Sequence, residues 1–412
     1  MISRRELLQY ARDSAAWVGA SALLPGLARA GEAAFWGPPS ALPAGAVSDA
    51  ALEAIPGKKP LVRHSYRPPN YETPVRYFNQ LYTPNDAFFV RWHISNIPQI
   101  SAAEWRLRIG GEGAQRPIEL TLNELKSGFK HAEIAAVCQC SGNRRGLMDP
   151  HVPGVQWGYG AMGNARWKGV RLRDVLNKAG VSKDAVELVS NGSDAAVVDK
   201  TPDFVKSVPI WKALEDSPLI AWEMNGGPLP HWNGFPVRLV FPGWTATYWT
   251  KQVSSLEIVT KPFAGFWVTK AYRIPTGKFP VEKPFESQQN EQTTPITEMV
   301  VNSLITNIEE GQRFAAGKAI EVKGIAWDGG HGIKLVEVST DGGQNWRAAK
   351  LGTDAGRFSF RPWSFQFKAP PGAHPIMARA TNAKGQTQAS QLIWNPAGYH
   401  HNLIERINIQ VA

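Results

Sequence analysis

The pattern of apolar residues changes character once along this chain, and that change constrains the fold more than any single motif. Up to about residue 260, short β-branched runs such as Ala135-Ala136-Val137 and Val237-Arg238-Leu239-Val240 alternate with short helical stretches. Thr121-Leu-Asn-Glu124 has the form of a capping box. Leu172, Val175, Leu176 and Ala179 share one helical face, which Gly180 ends. Residues 274–295 are poor in apolar side chains and rich in Pro, Lys, Glu and Gln, which predicts a linker. Beyond them the pattern is all-β. Ala319 to Gly324 alternates at period two, and Leu335 to Ser339 leads into Asp341-Gly342, a tight-hairpin signal. Further strands are expected at Phe358–Phe367, His374–Thr381 and Ile407–Val411. Turn signals at this spacing predict an immunoglobulin-like sandwich. The expected fold class is α+β, with a mixed domain over 31–285 and a sandwich over 290–412. A length of 412 residues at about 150 per domain fits such a division.

The first thirty residues have the features of an export signal. Arg4-Arg5 precedes an apolar segment from Ala15 to Leu27, and Ala28-Arg29-Ala30 supplies a small-x-small cleavage pattern. A twin-arginine signal over residues 1–30 accounts for all three features, and predicts a periplasmic protein exported already folded. Residues 31–60, rich in Ala, Gly and Pro, are expected to wrap the surface as an arm. No internal stretch reaches the roughly 18 apolar residues of a membrane span. Loss of the signal removes four arginines and two acids, which lowers the formal charge from +10 to +8. No block of five Lys or Arg occurs, so nucleic acid is not the expected partner. Small anions or an acidic protein surface fit the charge better.

Several catalytic motifs are absent, among them Gly-x-Ser-x-Gly, His-Glu-x-x-His and the Walker loop. Gly158-Tyr-Gly160-Ala-Met-Gly163 matches the dinucleotide fingerprint. It lacks the preceding strand and following helix that make the fingerprint work. Two segments carry chemistry. The only cysteines stand in Cys138-Gln-Cys140-Ser-Gly-Asn-Arg144-Arg145-Gly146. A bridge across Cys-x-Cys would be strained, and a thiolate suits a soft metal. The two arginines behind it are expected to lower a thiol pKa and attract an anion. An isolated cysteine is more often a small buried residue, but the basic, glycine-containing turn favours function, above all for Cys140. The other segment is Phe88-Phe-Val-Arg91-Trp-His93, where Arg91 and His93 are spaced to share one strand face.

Together these segments resemble the sulfite oxidase family of mononuclear molybdenum enzymes. Phe-Phe-Val-Arg91-x-His93 and Cys140-Ser-Gly-Asn-Arg-Arg145 look like its substrate strand and its molybdenum-cysteine loop. Asn164-Ala-Arg-Trp-Lys-Gly-Val, Trp222 to His231, Gly-Phe-Pro-Val-Arg238 and Pro-Gly-Trp at 242–244 continue the similarity. Ala271-Tyr272-Arg273-Ile-Pro resembles the active-site tyrosine segment of the bacterial branch, and Trp394-Asn395 through Arg406 the family's C-terminal ending. The resemblance spans about residues 60–412 in consistent order.

The resemblance implies a sulfite oxidase-type molybdopterin-binding domain followed by an immunoglobulin-like dimerisation domain, in a homodimer. It implies Cys140 as the protein thiolate on molybdenum, with Arg91, His93, Arg145 and Tyr272 around an anion. It also implies a pterin held by Phe89, Val90, Arg91, Trp92, His93, Asp194, Asn233, Arg238, Trp249, Thr250 and Lys251. Asn233 stands where several family members carry a histidine. The implied activity is sulfite dehydrogenation by oxygen-atom transfer. The chain lacks Cys-x-x-Cys-His, so no haem is expected in it, and the expected electron acceptor is an external c-type cytochrome. A sulfane dehydrogenase component, a sulfoxide reductase or a nitrate reductase would share the cysteine loop. A non-enzymatic exported binding protein would leave that loop idle.

Overall fold

The computed structural model describes residues 52–198 and 200–412. Arg4-Arg5, the Ala28-Arg29-Ala30 pattern and most of the predicted arm lie outside the described residues. No helix among the described residues is long and apolar enough to cross a membrane.

The first half is built on two five-stranded sheets. One runs in the order Lys206–Pro209, Glu187–Gly192, Val253–Val259, Arg106–Gly110 and Ile118–Thr121, antiparallel except where Val253–Val259 meets Arg106–Gly110. The other contains the long pair His131–Gln139 and Met162–Arg171, then Leu219–Met224, which also pairs with Gly227–Pro228 and Arg238–Val240. Their apolar faces share one core that includes Leu107, Val170, Leu176, Ile220 and Leu256. The helix Leu172–Ala179 closes this core with Leu172, Val175, Leu176 and Ala179, all buried, and ends at Gly180 with φ of 75°. The capping box forms at Thr121 and Glu124, each side chain meeting the other's backbone N–H.

The second half is all-β. A four-stranded sheet, Asn302–Ile305, Ile320–Trp327, Arg361–Phe367 and Lys350–Leu351, faces a five-stranded one. The latter comprises Arg313–Phe314, Glu405–Val411, Gly372–Asn382, Ile333–Ser339 and Arg347–Ala348. Val322, Trp363, Ala378 and Ile409 lie in the core between them. The two halves are welded through buried residues from both, including Phe78, Val137, Met162, Leu304, Trp327 and Phe360. Trp327 Nε1 donates to Gln139 Oε1 at 2.6 Å, and Val137 N donates to Phe358 O at 2.9 Å.

Two local expectations require correction. Residues 274–295 are not a free linker. Arg273–Pro275 pairs with Thr293–Pro295, Ile274 and Phe285 are buried, and the Arg273 guanidinium ties the loop through Val268 O, Gln288 O and Thr293 O. A few well-placed anchors outweigh the polar composition. Asp341-Gly342 does not form a two-residue turn, since pairing resumes only with Val338 opposite Arg347. The Asp341 carboxylate instead accepts the backbone N–H groups of Gln344 and Asn345, closing a longer loop.

Candidate active site

The site begins where the long strand pair ends. Cys138 lies opposite Gly163, and a Cβ there would stand 2.4 Å from the Phe88 ring. The glycine therefore lets the Phe88-Phe89 segment lie across the end of the pair. The chain then turns at Cys140, whose N–H donates to Ala161 O at 2.9 Å. Asn143 Oδ1 accepts the Ala161 N–H at 3.0 Å, and Asn143 N donates back to Cys140 O. These bonds fix the loop at both ends. Gly158 and Gly160, part of the apparent dinucleotide fingerprint, donate their N–H groups to the buried Glu72 carboxylate.

Cys138 and Cys140 are both free and buried, and both open onto a cleft of about 700 Å³. Burial pushes the Cys138 thiol up, against a smaller opposing effect of Arg238, whose Nη2 lies 3.8 Å from Sγ. The hydrogen bonds of the two arginines following the cysteines go elsewhere than to the thiols. Arg144, in the left-handed region at φ 68°, turns away and donates to Ser303 O at 2.7 Å. Arg145 donates to Ala397 O and Val155 O, and its guanidinium lies 5.3 Å from the Tyr399 ring centre.

One wall of the cleft comes from the strand Val90–Arg91 and the residues flanking it. Arg91 is held by Asn70 Oδ1 at 3.1 Å and by the Trp92 carbonyl. His93 lies beyond the strand end. Its ring stacks on Phe204 at 3.7 Å and 12°, and its Nε2 hydrogen-bonds the Tyr272 hydroxyl. Burial, then the charges of Arg91, Lys251 and Lys206, hold His93 well below the usual histidine range. Burial pushes the Tyr272 phenol up. Tyr272 has φ of 59°, a region that non-glycine residues enter at a cost. Its ring stacks parallel on Tyr399 at 5.7 Å and 4°. At neutral pH the histidine and tyrosine are thus two neutral partners beside a cationic Arg91.

The other end of the cleft is strongly basic. Arg238 is clamped by Asn233 O and Trp249 O, with Trp167 and Trp249 rings on its guanidinium. Lys251 Nζ lies 4.3 Å from the Trp92 ring centre and, among the described residues, makes no hydrogen bond or ion pair. Burial pushes its ammonium down to about 8. Among the described residues Asp194 is the only carboxylate lining the cleft, and burial raises its pKa. Thr247 contributes a buried hydroxyl that has no hydrogen-bond partner among the described residues. Among the described residues, no three His, Cys, Asp or Glu side chains cluster to hold a metal. The Cys140 thiol, the Lys251 ammonium and the Thr247 hydroxyl, all lining the cleft, fit an anionic cofactor that brings most of the metal's ligands itself.

Every residue predicted for the site lines the cleft except two. Val90 is a core residue, fully buried and paired with Tyr71. Arg145 lies behind the wall, linked to it through Tyr399 and Tyr272. Both amide ends of Asn233 are engaged: Nδ2 donates to Phe89 O at 3.0 Å and Oδ1 accepts from Lys58 Nζ at 2.6 Å. Asn233 therefore shapes the wall by holding Phe89. Sequence reasoning missed Phe204, Ser141, Thr247 and Trp232, which line the cleft too. Ser141 had a signal, since it lies inside the cysteine loop already singled out, and Thr247 falls between two segments that were. Phe204 had none.

Residues 94–267 match the oxidoreductase molybdopterin binding domain, and residues 293–412 match the Mo-co oxidoreductase dimerisation domain. Arg91, His93 and Tyr272 fall outside both matches. Mitochondrial sulfite oxidase of Macaca fascicularis is 32% identical over 365 residues, which cover 85% of this chain and 65% of that one. The NADH nitrate reductase of Hordeum vulgare is 28% identical over 352 residues, 80% of this chain and 38% of that one. The chain spans about half to two thirds of the length of the mammalian sulfite oxidases it matches. The sulfane dehydrogenase SoxCD of Paracoccus pantotrophus shares the fold, with a TM-score of 0.70 at 24% identity over 88% of this chain and 91% of that one.

Proposed function

Because the chain belongs to the sulfite oxidase family of molybdopterin oxidoreductases, we propose that it oxidises sulfite to sulfate and passes the electrons to an external c-type cytochrome. The observation that carries this reading is the convergence of Arg91, His93 and Tyr272 on the cleft that Cys140 enters. Cys140 would supply the single protein thiolate. Lys251, Arg238, Asp194, Thr250, Trp249 and the segment from Phe89 to His93 would hold the pterin. When bound, the cofactor supplies oxygen-atom transfer and takes up two electrons.

The chain's own residues bind and orient the anion. Arg91, held in place by Asn70, offers charge-assisted hydrogen bonds, which are stronger than neutral ones. The neutral His93–Tyr272 pair holds a proton at the Tyr272 oxygen and can hydrogen-bond the reacting anion without adding a competing charge. The buried walls keep water from screening these contacts. Export by the twin-arginine route to the periplasm, and a homodimer formed through residues 290–412, complete the proposal. The second half would be an immunoglobulin-like module.

Nitrate reduction is the second reading, favoured by the likeness to the barley enzyme. Turnover of purified, molybdenum-loaded protein separates the two. Sulfite oxidation coupled to cytochrome c reduction is expected. Reduction of nitrate or a sulfoxide without sulfite turnover would replace this reading with a related activity.

A further inference from the structure

Lys206 is a buried cation that the site description leaves unexplained. It opens the strand Lys206–Pro209 and is 1% exposed. Its Nζ donates to Trp267 O at 2.5 Å and, among the described residues, has no carboxylate within ion-pairing distance. The ammonium lies between two tyrosine rings, 4.7 Å from the centre of Tyr248 and 5.1 Å from that of Tyr272. Burial, with Arg273 adding to it and Glu187 opposing, pushes the ammonium down to about 7. A buried charge with no counter-ion is destabilising, and an apolar side chain of the same length would pack there more favourably.

What the lysine touches gives it a role. Two residues earlier, Phe204 stacks on the His93 ring. The same stretch of chain therefore supplies a plate under His93 and a cation under Tyr272. The carbonyl that Lys206 binds belongs to Trp267, whose ring packs against both His93, at 5.1 Å, and Tyr272, at 6.1 Å. Lys206 thus braces two of the groups at the His93–Tyr272 hydrogen bond, the Tyr272 ring and Trp267.

We propose that Lys206 is a positioning residue: its ammonium, seated on the Tyr272 ring and anchored to Trp267, fixes the His93–Tyr272 pair and adds positive charge behind the anion-binding wall. This rests on the reading of the cleft as the site of anion oxidation. The groups facing His93 are Arg91, Lys251, Lys206, the Tyr272 hydroxyl, and the rings of Phe204 and Trp267. As a neighbouring cation, Lys206 disfavours the His93 imidazolium.

The test is Lys206→Met in the full, molybdenum-loaded enzyme, alone and combined with Tyr272→Phe. Should the methionine variant fail to fold, Lys206→Gln gives the same comparison. Molybdenum content should be unchanged and Tm unchanged or raised. kcat/KM for sulfite should fall roughly tenfold in the otherwise wild-type protein, but about twofold or less in the Tyr272→Phe background, because the two changes act through one group. NMR of histidine-labelled protein should show the His93 titration midpoint moving to higher pH once the cation is gone. A fully additive loss of activity, or an unmoved His93 midpoint, would overturn the proposal. The NMR arm needs no turnover, so an enzyme inert toward sulfite would sink the functional reading while still testing Lys206.

Discussion

Cys138 and Cys140 sit two residues apart with both thiols at the cleft, and their surroundings separate their roles. Cys138 belongs to the paired strand, with Arg238 beside its sulfur. Cys140 starts the turn, held by its own N–H and carbonyl and so presented from a rigid loop. Cys140→Ser should abolish activity and molybdenum binding while leaving the circular dichroism spectrum and Tm near wild type, because a serine oxygen cannot replace a soft thiolate. Cys138→Ser should keep most of the activity. Reversed phenotypes would assign the metal to the other thiol. These residues were legible in the sequence because the chemistry is local to one short stretch. The direction in which each arginine points was not. Arg144 and Arg145 are adjacent in sequence, but Arg144 in the left-handed region turns its side chain toward Ser303, and Arg145 is drawn to the carbonyls of Ala397 and Val155. Ser303 and Ala397 both lie more than 150 positions away from these arginines.

At the scale of elements, local signals were read correctly where the physics is local. The capping box at Thr121 and the helix ending at Gly180 depend on side chains within a few residues. The segment 274–295 and the loop after Ser339 depend on contacts that composition does not report. Gly160 shows how an element positions the site. A Cβ there would stand 1.8 Å from Thr73 O, in the segment that carries the Cys140 loop's partner Ala161. Gly160→Ala should therefore destabilise the fold by roughly 1–3 kcal/mol and lower molybdenum content together with activity. Denaturant unfolding and a metal assay on the same samples check both. Wild-type stability with full metal loading would show that the loop tolerates displacement.

Over the whole molecule, the division into a mixed half and an all-β half was legible because it rests on a change of periodicity sustained over a hundred residues. The closeness of the two halves was not. Tyr399, from the all-β half, stacks on Tyr272 and receives Arg145 behind the cleft, so the second half backs the wall of the site. The basic surface makes a prediction at this scale. If it guides an acidic cytochrome, the bimolecular rate of cytochrome reduction should fall as salt rises, since exposed charges are screened beyond about 10 Å at 0.1 M ionic strength. A rate independent of salt would remove electrostatic guidance from the account. The central claim is that the Arg91 wall holds an oxidisable anion against the end of the cleft that Cys140 enters. Steady-state kinetics of Arg91→Gln with sulfite test it most directly. KM should rise by about 10- to 100-fold, equivalent to about 1.4–2.8 kcal/mol, with molybdenum content unchanged, whereas Tyr272→Phe should lower mainly kcat. An Arg91→Gln enzyme with full metal and a wild-type KM for sulfite would contradict it.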